Sequence, residues 1–248
     1  MTNQNNYSLS VVIPVFNEEN IIEMSMDLLD AKLKSICKDY EIIVVDDASM
    51  DRTPQITAQL SSRLKNLKIV RNHNNQGIGY CLQKGFNFAS KEFVLYIDSD
   101  MPFDYGEISR AISMIDHNNA DLIAGSRINR TAESILRYIC SIIYNWLMRG
   151  LFSLKINDIN CAFKLIKRDV LEKLGLNLRG SCVSVEMLAK ASYIGCRINQ
   201  IELYYYPRKE TKSRLFKLHI IIRDLFEIAR HYREIKSFKT SPCRKELD

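Results

Sequence analysis

Apolar runs and stretches of helical spacing alternate through the first hundred residues, and that alternation constrains the fold more than any other feature. Strands are expected at 10–14, 41–45, 67–71 and 93–97, with helices at 18–37, 53–64 and 79–90 between them. A strand that returns to its sheet through a helix pairs parallel to its predecessor. The pattern therefore predicts a parallel sheet with helices on both faces. Downstream, the spacing predicts helix 105–118, strand 121–125, helix 133–152, strand 163–166, helices 168–174 and 185–194, strand 198–206 and a last helix at 217–236. Apolar residues make up 46% of the 248 positions, and Gly and Pro contribute only 9 and 5, so most of the chain is expected to fold as one large α/β domain. No internal repeat or low-complexity linker interrupts it. The expected organisation is a domain at 1–215 followed by an amphipathic helix and tail at 216–248.

Ligands of open α/β sheets bind at the carboxyl ends of the strands. Polar residues gather there after all four early strands: Pro14 to Glu18, Asp46 to Thr53, Asn72 to Gly79, and Asp98-Ser99-Asp100. The last group is the most specific chemically. Two carboxylates at i and i+2 repel unless a cation joins them, and a hard divalent ion with oxygen ligands answers that need. A capped turn, with one Asp bonding backbone amides, is the plain alternative; four polar loops on one edge favour a site. Gly77 and Gly79 open a helix, which places their amides to meet phosphate. The third Gly of the dinucleotide fingerprint is replaced by Leu82 and there is no P-loop motif, which argues against a dehydrogenase or kinase. Asp51 and Thr53 are read as caps of the following helix.

Composition narrows the setting. Seven scattered cysteines without a C-x-x-C pair suit reduced thiols in a cytosol, mostly as small core residues, and four scattered histidines give no zinc pattern. No stretch reaches roughly 18 uncharged apolar residues; 135–154 comes nearest and is interrupted by Arg137 and Arg149. That stretch suits either the core or a bilayer surface beside a lipid tail. The first residues are polar and lack the regions of a signal peptide. The net charge is +6, with basic residues crowding from Lys209 onward, which favours anionic partners. In 217–236, Leu218, Ile221, Ile222, Leu225, Phe226 and Ala229 alternate with Arg223, Arg230 and Arg233. Such a helix suits peripheral contact with an anionic membrane, with a membrane partner subunit as the alternative; no nucleic-acid partner is expected.

Val11-Val12-Ile13-Pro14-Val15-Phe16-Asn17-Glu18, Val44-Val45-Asp46-Asp47-x-Ser49-x-Asp51-x-Thr53, Asn75-x-Gly77-x-Gly79 and Asp98-x-Asp100, in that order, resemble the family 2 glycosyltransferases with the GT-A fold. The resemblance runs over residues 8–215. Gly125-Ser126-Arg127, Arg137-x-x-x-Ser141, Asp158-x-x-Cys161-Ala162-Phe163-Lys164, Glu186-Met187-x-x-Lys190-Ala191 and Arg208-x-x-x-x-Ser213-Arg214 are similar to segments of the dolichyl- and polyprenyl-phosphate sugar synthases. The chain departs at Pro102, where that subgroup often has Gln, and at Thr211 and Arg214, where it has Gly and Lys.

The resemblance implies a GT-A fold, with a single Rossmann-like, mostly parallel sheet flanked by helices. It implies inverting transfer of a sugar from a GDP- or UDP-linked nucleotide-sugar to a dolichyl or undecaprenyl phosphate at the cytoplasmic face of a membrane. Asp98 and Asp100 would hold Mg²⁺ or Mn²⁺ and, with Arg127, form the catalytic group. Pro14, Phe16, Glu18, Asp46, Asp47, Asn75, Gly77, Ser99, Arg208 and Arg214 would bind the nucleotide-sugar. Arg127, Arg137 and Ser141 would clamp the acceptor phosphate, whose charge makes a general base unnecessary. A saccharide hydroxyl as acceptor, in surface polysaccharide synthesis, would need a base, and Glu186 is the candidate. A non-catalytic nucleotide-binding or signalling module is the third reading. Asp46-Asp47 resembles the acidic pair of phospho-receiver domains, but the chain is too long and carries a paired Asp after the fourth strand.

Overall fold

Residues apolar on both faces make strands that only a sheet covered on both sides can bury. The computed structural model describes residues 7–100, 103–129, 135–204 and 218–239, with the side chains of Arg137 and of 218–222 outside the description. It arranges β1 (Ser8–Val15), β2 (Asp39–Asp46), β3 (Leu67–Arg71), β4 (Phe93–Ile97), β5 (Leu122–Ile128), β6 (Phe163–Lys167) and β7 (Ile198–Tyr204) in one sheet of order β3-β2-β1-β4-β6-β5-β7. The helices are α1 (Ile22–Ile36), α2 (Thr53–Arg63), α3 (Ile78–Phe88), α4 (Gly106–His117), α5 (Ile135–Phe152), α6 (Arg168–Leu174), α7 (Val183–Tyr193) and α8 (Leu218–Lys236). All five residues of β4 are buried at the middle of the sheet. Apolar clusters fill both faces. One contains Met26, Leu29 and Leu33 of α1 with Ile108 and Ile112 of α4; the other contains Leu82 of α3, Phe152 of α5 and Leu188 of α7.

The mixed α/β sheet is mostly parallel, as expected, with one reversed strand. β6 pairs antiparallel with both β4 and β5. β5 and β7 run parallel to each other, so the carboxyl ends of β1 to β5 and β7 lie on one edge together with the amino end of β6. That reversal delivers the loop before β6 to the same edge.

One expectation is corrected. The first helix begins at Ile22 rather than at 18, because the Ile21 and Ile22 amides both bond the Glu18 carbonyl in a turn. α8 packs on the domain through part of its apolar side. Ile228 and Ile235 are buried in the domain, with Leu225 and Tyr232 packed beside them, while Arg223, Phe226, Arg230 and Arg233 face outward.

The opposite edge is pinned by Glu41, which is buried. Its Oε1 accepts from Ser10 Oγ (2.6 Å), Ser90 N (2.7 Å) and Ser90 Oγ (2.8 Å), and its Oε2 meets Lys68 Nζ at 2.5 Å. Burial raises the pKa of this carboxyl, but the Lys68, Ser10 and Ser90 bonds outweigh it and bring it from 4.5 to about 2. A depressed folded-state pKa contributes stability that is complete above the unfolded value and is lost as pH falls through the folded one. Glu41→Gln is expected to lower stability at pH 7 by on the order of 2 kcal/mol. It should also flatten the fall in stability between pH 4.5 and 2. Urea unfolding of both proteins across that range checks this, and parallel pH profiles would contradict it.

Candidate active site at the carboxyl edge of the sheet

The first two loops of this edge are sewn together by backbone amides. Asn17 N donates to Ser49 Oγ (2.9 Å), Glu18 N to Thr53 Oγ1 (2.8 Å) and Glu19 N to Asp51 Oδ2 (3.2 Å). In return, Met50 N donates to Asn17 Oδ1 and Arg52 N to Glu19 Oε2. Asn17 and Ala48 hold left-handed backbone, with φ of 54° and 61°. Asp51 also accepts from the amide of Thr53, the first residue of α2, so it ties the first loop to the start of that helix. Phe16 stands at the rim with 37% of its surface exposed, beside the partly buried Pro14 and Glu18.

Asp47 organises the third loop. Its Oδ1 accepts from Asn72 Nδ2 and Gln76 N, both at 2.8 Å, and its Oδ2 from Gly77 N at 2.9 Å. Asp46 Oδ1 accepts from Ser49 N, and its Oδ2 lies 3.1 Å from Arg71 Nε. Both carboxylates are buried and engaged with protein, so their direct work is to shape loops. The Gly77 and Gly79 amides, expected to meet phosphate, are likewise taken, by Asp47 and by the Arg179 carbonyl (2.7 Å). Asn75 Nδ2 points to the Asp47 carbonyl at 3.5 Å.

Asp98 and Asp100 leave the end of β4 with Ser99 buried between them. Burial, then repulsion from Asp100, push the Asp98 carboxyl up to about 7, with a smaller push from Glu18 and an opposing pull from Arg127. Three charged groups, Asp100, Glu18 and Arg127, brought by three loops, therefore act on Asp98. Arg127, at the end of β5, is gripped in a fork by Asp158: Nε to Oδ2 at 2.6 Å and Nη2 to Oδ1 at 2.9 Å. The two-pronged geometry expected for a phosphate is thus occupied by a carboxylate, which fixes the guanidinium's direction. Beneath them Lys164 is fully buried, its Nζ donating to the Cys161 carbonyl at 2.5 Å, and burial lowers its pKa. Asp158 and Lys164 lie in a segment the sequence singled out without assigning them a role. The reversed β6 places them.

Other expected residues fall elsewhere. Glu186 is withdrawn as a base. It is buried, its carboxylate accepts from Asn177 N and Leu178 N (2.9–3.0 Å), and it pairs with Lys190 Nζ at 2.7 Å. Its lone pairs are already filled. Ser141 lies one turn beyond Arg137 on α5, and its carbonyl accepts from Asn145. Arg208 and Arg214 lie outside the described residues.

The profile of Glycosyl transferase family 2 matches residues 10–175, and the chain belongs to that family. It is 30% identical to a dolichol-phosphate mannosyltransferase of Pyrococcus furiosus over 235 residues, which is 92% of this chain and 64% of the relative. It is 26% identical to glycosyltransferase AglD of Haloferax volcanii over 84% of this chain, and spans only 35% of that protein. Among solved structures, mannosyltransferase PcManGT of Pyrobaculum calidifontis, in complex with GDP-Man and Mn²⁺, aligns with a TM-score of 0.64 at 17% identity over 97% of this chain and 67% of that one. The sheet and its flanking helices are those of GT-A glycosyltransferases.

The third loop depends on a close approach that only glycine permits. A Cβ on Gly79 would lie 2.3 Å from the Leu178 carbonyl oxygen, a backbone atom. Gly79→Ala is expected to destabilise the protein by about 1–3 kcal/mol and to weaken nucleotide binding, measured by chemical unfolding and by titration calorimetry. Unchanged stability would show that 178–180 yields freely.

Proposed function

We propose that this chain transfers a hexosyl group from a GDP- or UDP-linked nucleotide-sugar to a polyprenyl phosphate, with inversion at the anomeric carbon, on the cytoplasmic face of a membrane. The observation that carries this reading is the meeting of Asp98 and Asp100 with an Arg127 held by Asp158 at the carboxyl edge. Mg²⁺ or Mn²⁺ fits Asp98 and Asp100, because the donors are all oxygen and burial and Asp100 drive Asp98 toward protonation even beside Arg127. When bound, such an ion supplies neutralising charge to the diphosphate leaving group. The other residues work as a scaffold. Phe16 offers a face to a base and Glu18 an acceptor to ribose. Asp46 and Asp47 shape the loops that frame them, with Asn75 and Gly77 on the third. Arg127, with Arg137 and Ser141 from α5, offers positive charge and a hydroxyl to the acceptor phosphate.

The fate of Glu186 favours phosphate over hydroxyl as the acceptor. A saccharide hydroxyl must lose a proton, and the base the sequence offered is buried and saturated. A phosphate monoester arrives already ionised. The name of the Pyrococcus furiosus relative agrees with a dolichol-phosphate acceptor.

The membrane reading takes in α5 as well as α8. No described helix is long and apolar enough to cross a membrane. Yet Ile135, Ile139, Ile142 and Trp146, on one stripe of α5, are exposed, Ile135 by 78% and Trp146 by 69%. Apolar residues of α5 and α8, among them Leu147, Leu151, Leu225 and Tyr232, line a groove of about 340 Å³ close by. That surface suits the chain of a lipid substrate, with Arg223, Arg230 and Arg233 of α8 presenting charge to anionic headgroups. Ile142→Glu with Trp146→Glu is expected to release the protein from anionic vesicles at low salt, while the charge reversal Arg230→Glu weakens binding in a salt-dependent manner. Co-sedimentation checks both, and full retention of the α5 variant would move the contact elsewhere.

The reaction itself is tested by supplying radiolabelled GDP- and UDP-sugars with polyprenyl phosphate and Mn²⁺. Label is expected in the organic-extractable lipid. Asp98→Asn and Asp100→Asn are each expected to lower that rate by at least about 100-fold with the fold intact. Label entering only soluble glycan would favour the hydroxyl acceptor, and turnover surviving EDTA in both variants would remove the metal assignment.

A further inference from the structure

A second cluster of ligating side chains lies where α8 crosses the start of α7. Cys182 is fully buried one residue before α7, and Asp224 and Glu227 come from the first half of α8. One ligand atom from each lies within 4.8 Å of the others. Cys182 Sγ is 2.9 Å from Glu227 Oε2, which also accepts from Gly180 N at 3.1 Å, while Glu227 Oε1 accepts from Arg179 N at 2.7 Å. Asp224 Oδ2 accepts from Ser181 Oγ.

The other oxygen of Asp224 is the informative atom. Its side chain is only 5% exposed, and Oδ1 has no hydrogen-bond partner among the described residues; Arg223 Nη2 stands off at 3.6 Å. A buried carboxylate oxygen without a donor is costly. Oδ1 points into the same space as Glu227 Oε2. A Cβ on Gly180 would come within 2.7 Å of the first and 2.6 Å of the second. Thus two acidic oxygens and a thiol sulfur converge beside a position that glycine leaves open.

We infer that Cys182, Asp224 and Glu227 form a metal site for Zn²⁺, separate from the Asp98–Asp100 pair. The donor set selects the ion. One sulfur with two carboxylates suits a borderline-soft, four-coordinate cation, whereas Mg²⁺ and Mn²⁺ favour oxygen throughout. Burial is the largest cause keeping both the Cys182 thiol and the Asp224 carboxyl toward their protonated forms. Zn²⁺ entering the cluster displaces the thiol proton now shared with Glu227 to solvent, leaving Sγ and the two carboxylates as ligands and water in the fourth place. The Arg223 guanidinium offsets part of the remaining negative charge. Such an ion braces α8 against 179–182, the segment whose Arg179 carbonyl holds the Gly79 amide. The site is thereby a structural support behind the third loop and does not depend on the transferase reading.

Cobalt substitution tests this in the full-length protein. After stripping with chelator, one equivalent of Co²⁺ is expected to give a thiolate-to-cobalt charge-transfer band and the intense visible bands of a four-coordinate site. One equivalent of Zn²⁺ should abolish both, and excess Mg²⁺ should not. The charge-transfer band should vanish in Cys182→Ser and persist in Cys161→Ser, a buried thiol that feels the charge of Asp98. Asp224→Asn, close in shape, should lower zinc affinity by roughly 10-fold or more. It decides the matter if Cys182→Ser does not fold. A wild-type protein without the thiolate band, a band that survives Cys182→Ser, or unchanged zinc affinity in Asp224→Asn would each overturn the assignment and leave Asp224 and Glu227 as hydrogen-bonding ties between α8 and 179–182.

Discussion

Two carboxylates at the end of one buried strand must be held against their mutual repulsion, and the carboxyl edge is arranged around that requirement. β4 sits in the middle of the sheet, so Asp98 and Asp100 emerge where loops from both sides can reach them. Arg127 answers from the end of β5, and Asp158 keeps it in place. Asp158 is available only because β6 runs backwards and starts at this edge. A parallel β6 would put its preceding loop at the far side of the sheet. The single reversed strand is therefore part of the site's electrostatics as much as of its topology.

The same economy shows in the first three loops. Their polar residues look in sequence like a row of ligand contacts, yet many bond one another. Asp47 takes three donors from the third loop, and Asp51 and Thr53 take amides from the first. The loops are stiffened before any ligand arrives, which limits the ordering cost of binding. Conformational rigidity and binding function draw on one set of residues.

The strands were legible because unbroken apolar runs such as 93–97 have few other fates, and the Asp98–Asp100 pair was legible because like charges at a strand end need a reason. What was not legible depended on partners remote in sequence. Glu186 reads as a base until Asn177 and Leu178 fold back over it, and the glycine amides read as a phosphate cradle until Arg179 meets Gly79. The sequence shows α8 as amphipathic, and only the fold shows that Ile228 and Ile235 on it pack into the domain. Periodicity shows that a face is apolar and leaves open what covers it. The exposed stripe of α5, nearly apolar all round in sequence, shows its destination only when the buried half is subtracted.

The central claim is that Asp98 and Asp100 make the edge a cation-assisted nucleoside-diphosphate site, and ligand-dependent melting tests it most directly. A ligand that binds only the folded state raises the melting temperature by mass action. GDP or UDP with Mn²⁺ should raise it by more than the two given separately, and that excess should disappear in Asp98→Asn and in Asp100→Asn. A nucleotide-induced shift of the same size without Mn²⁺, kept in both variants, would contradict the claim.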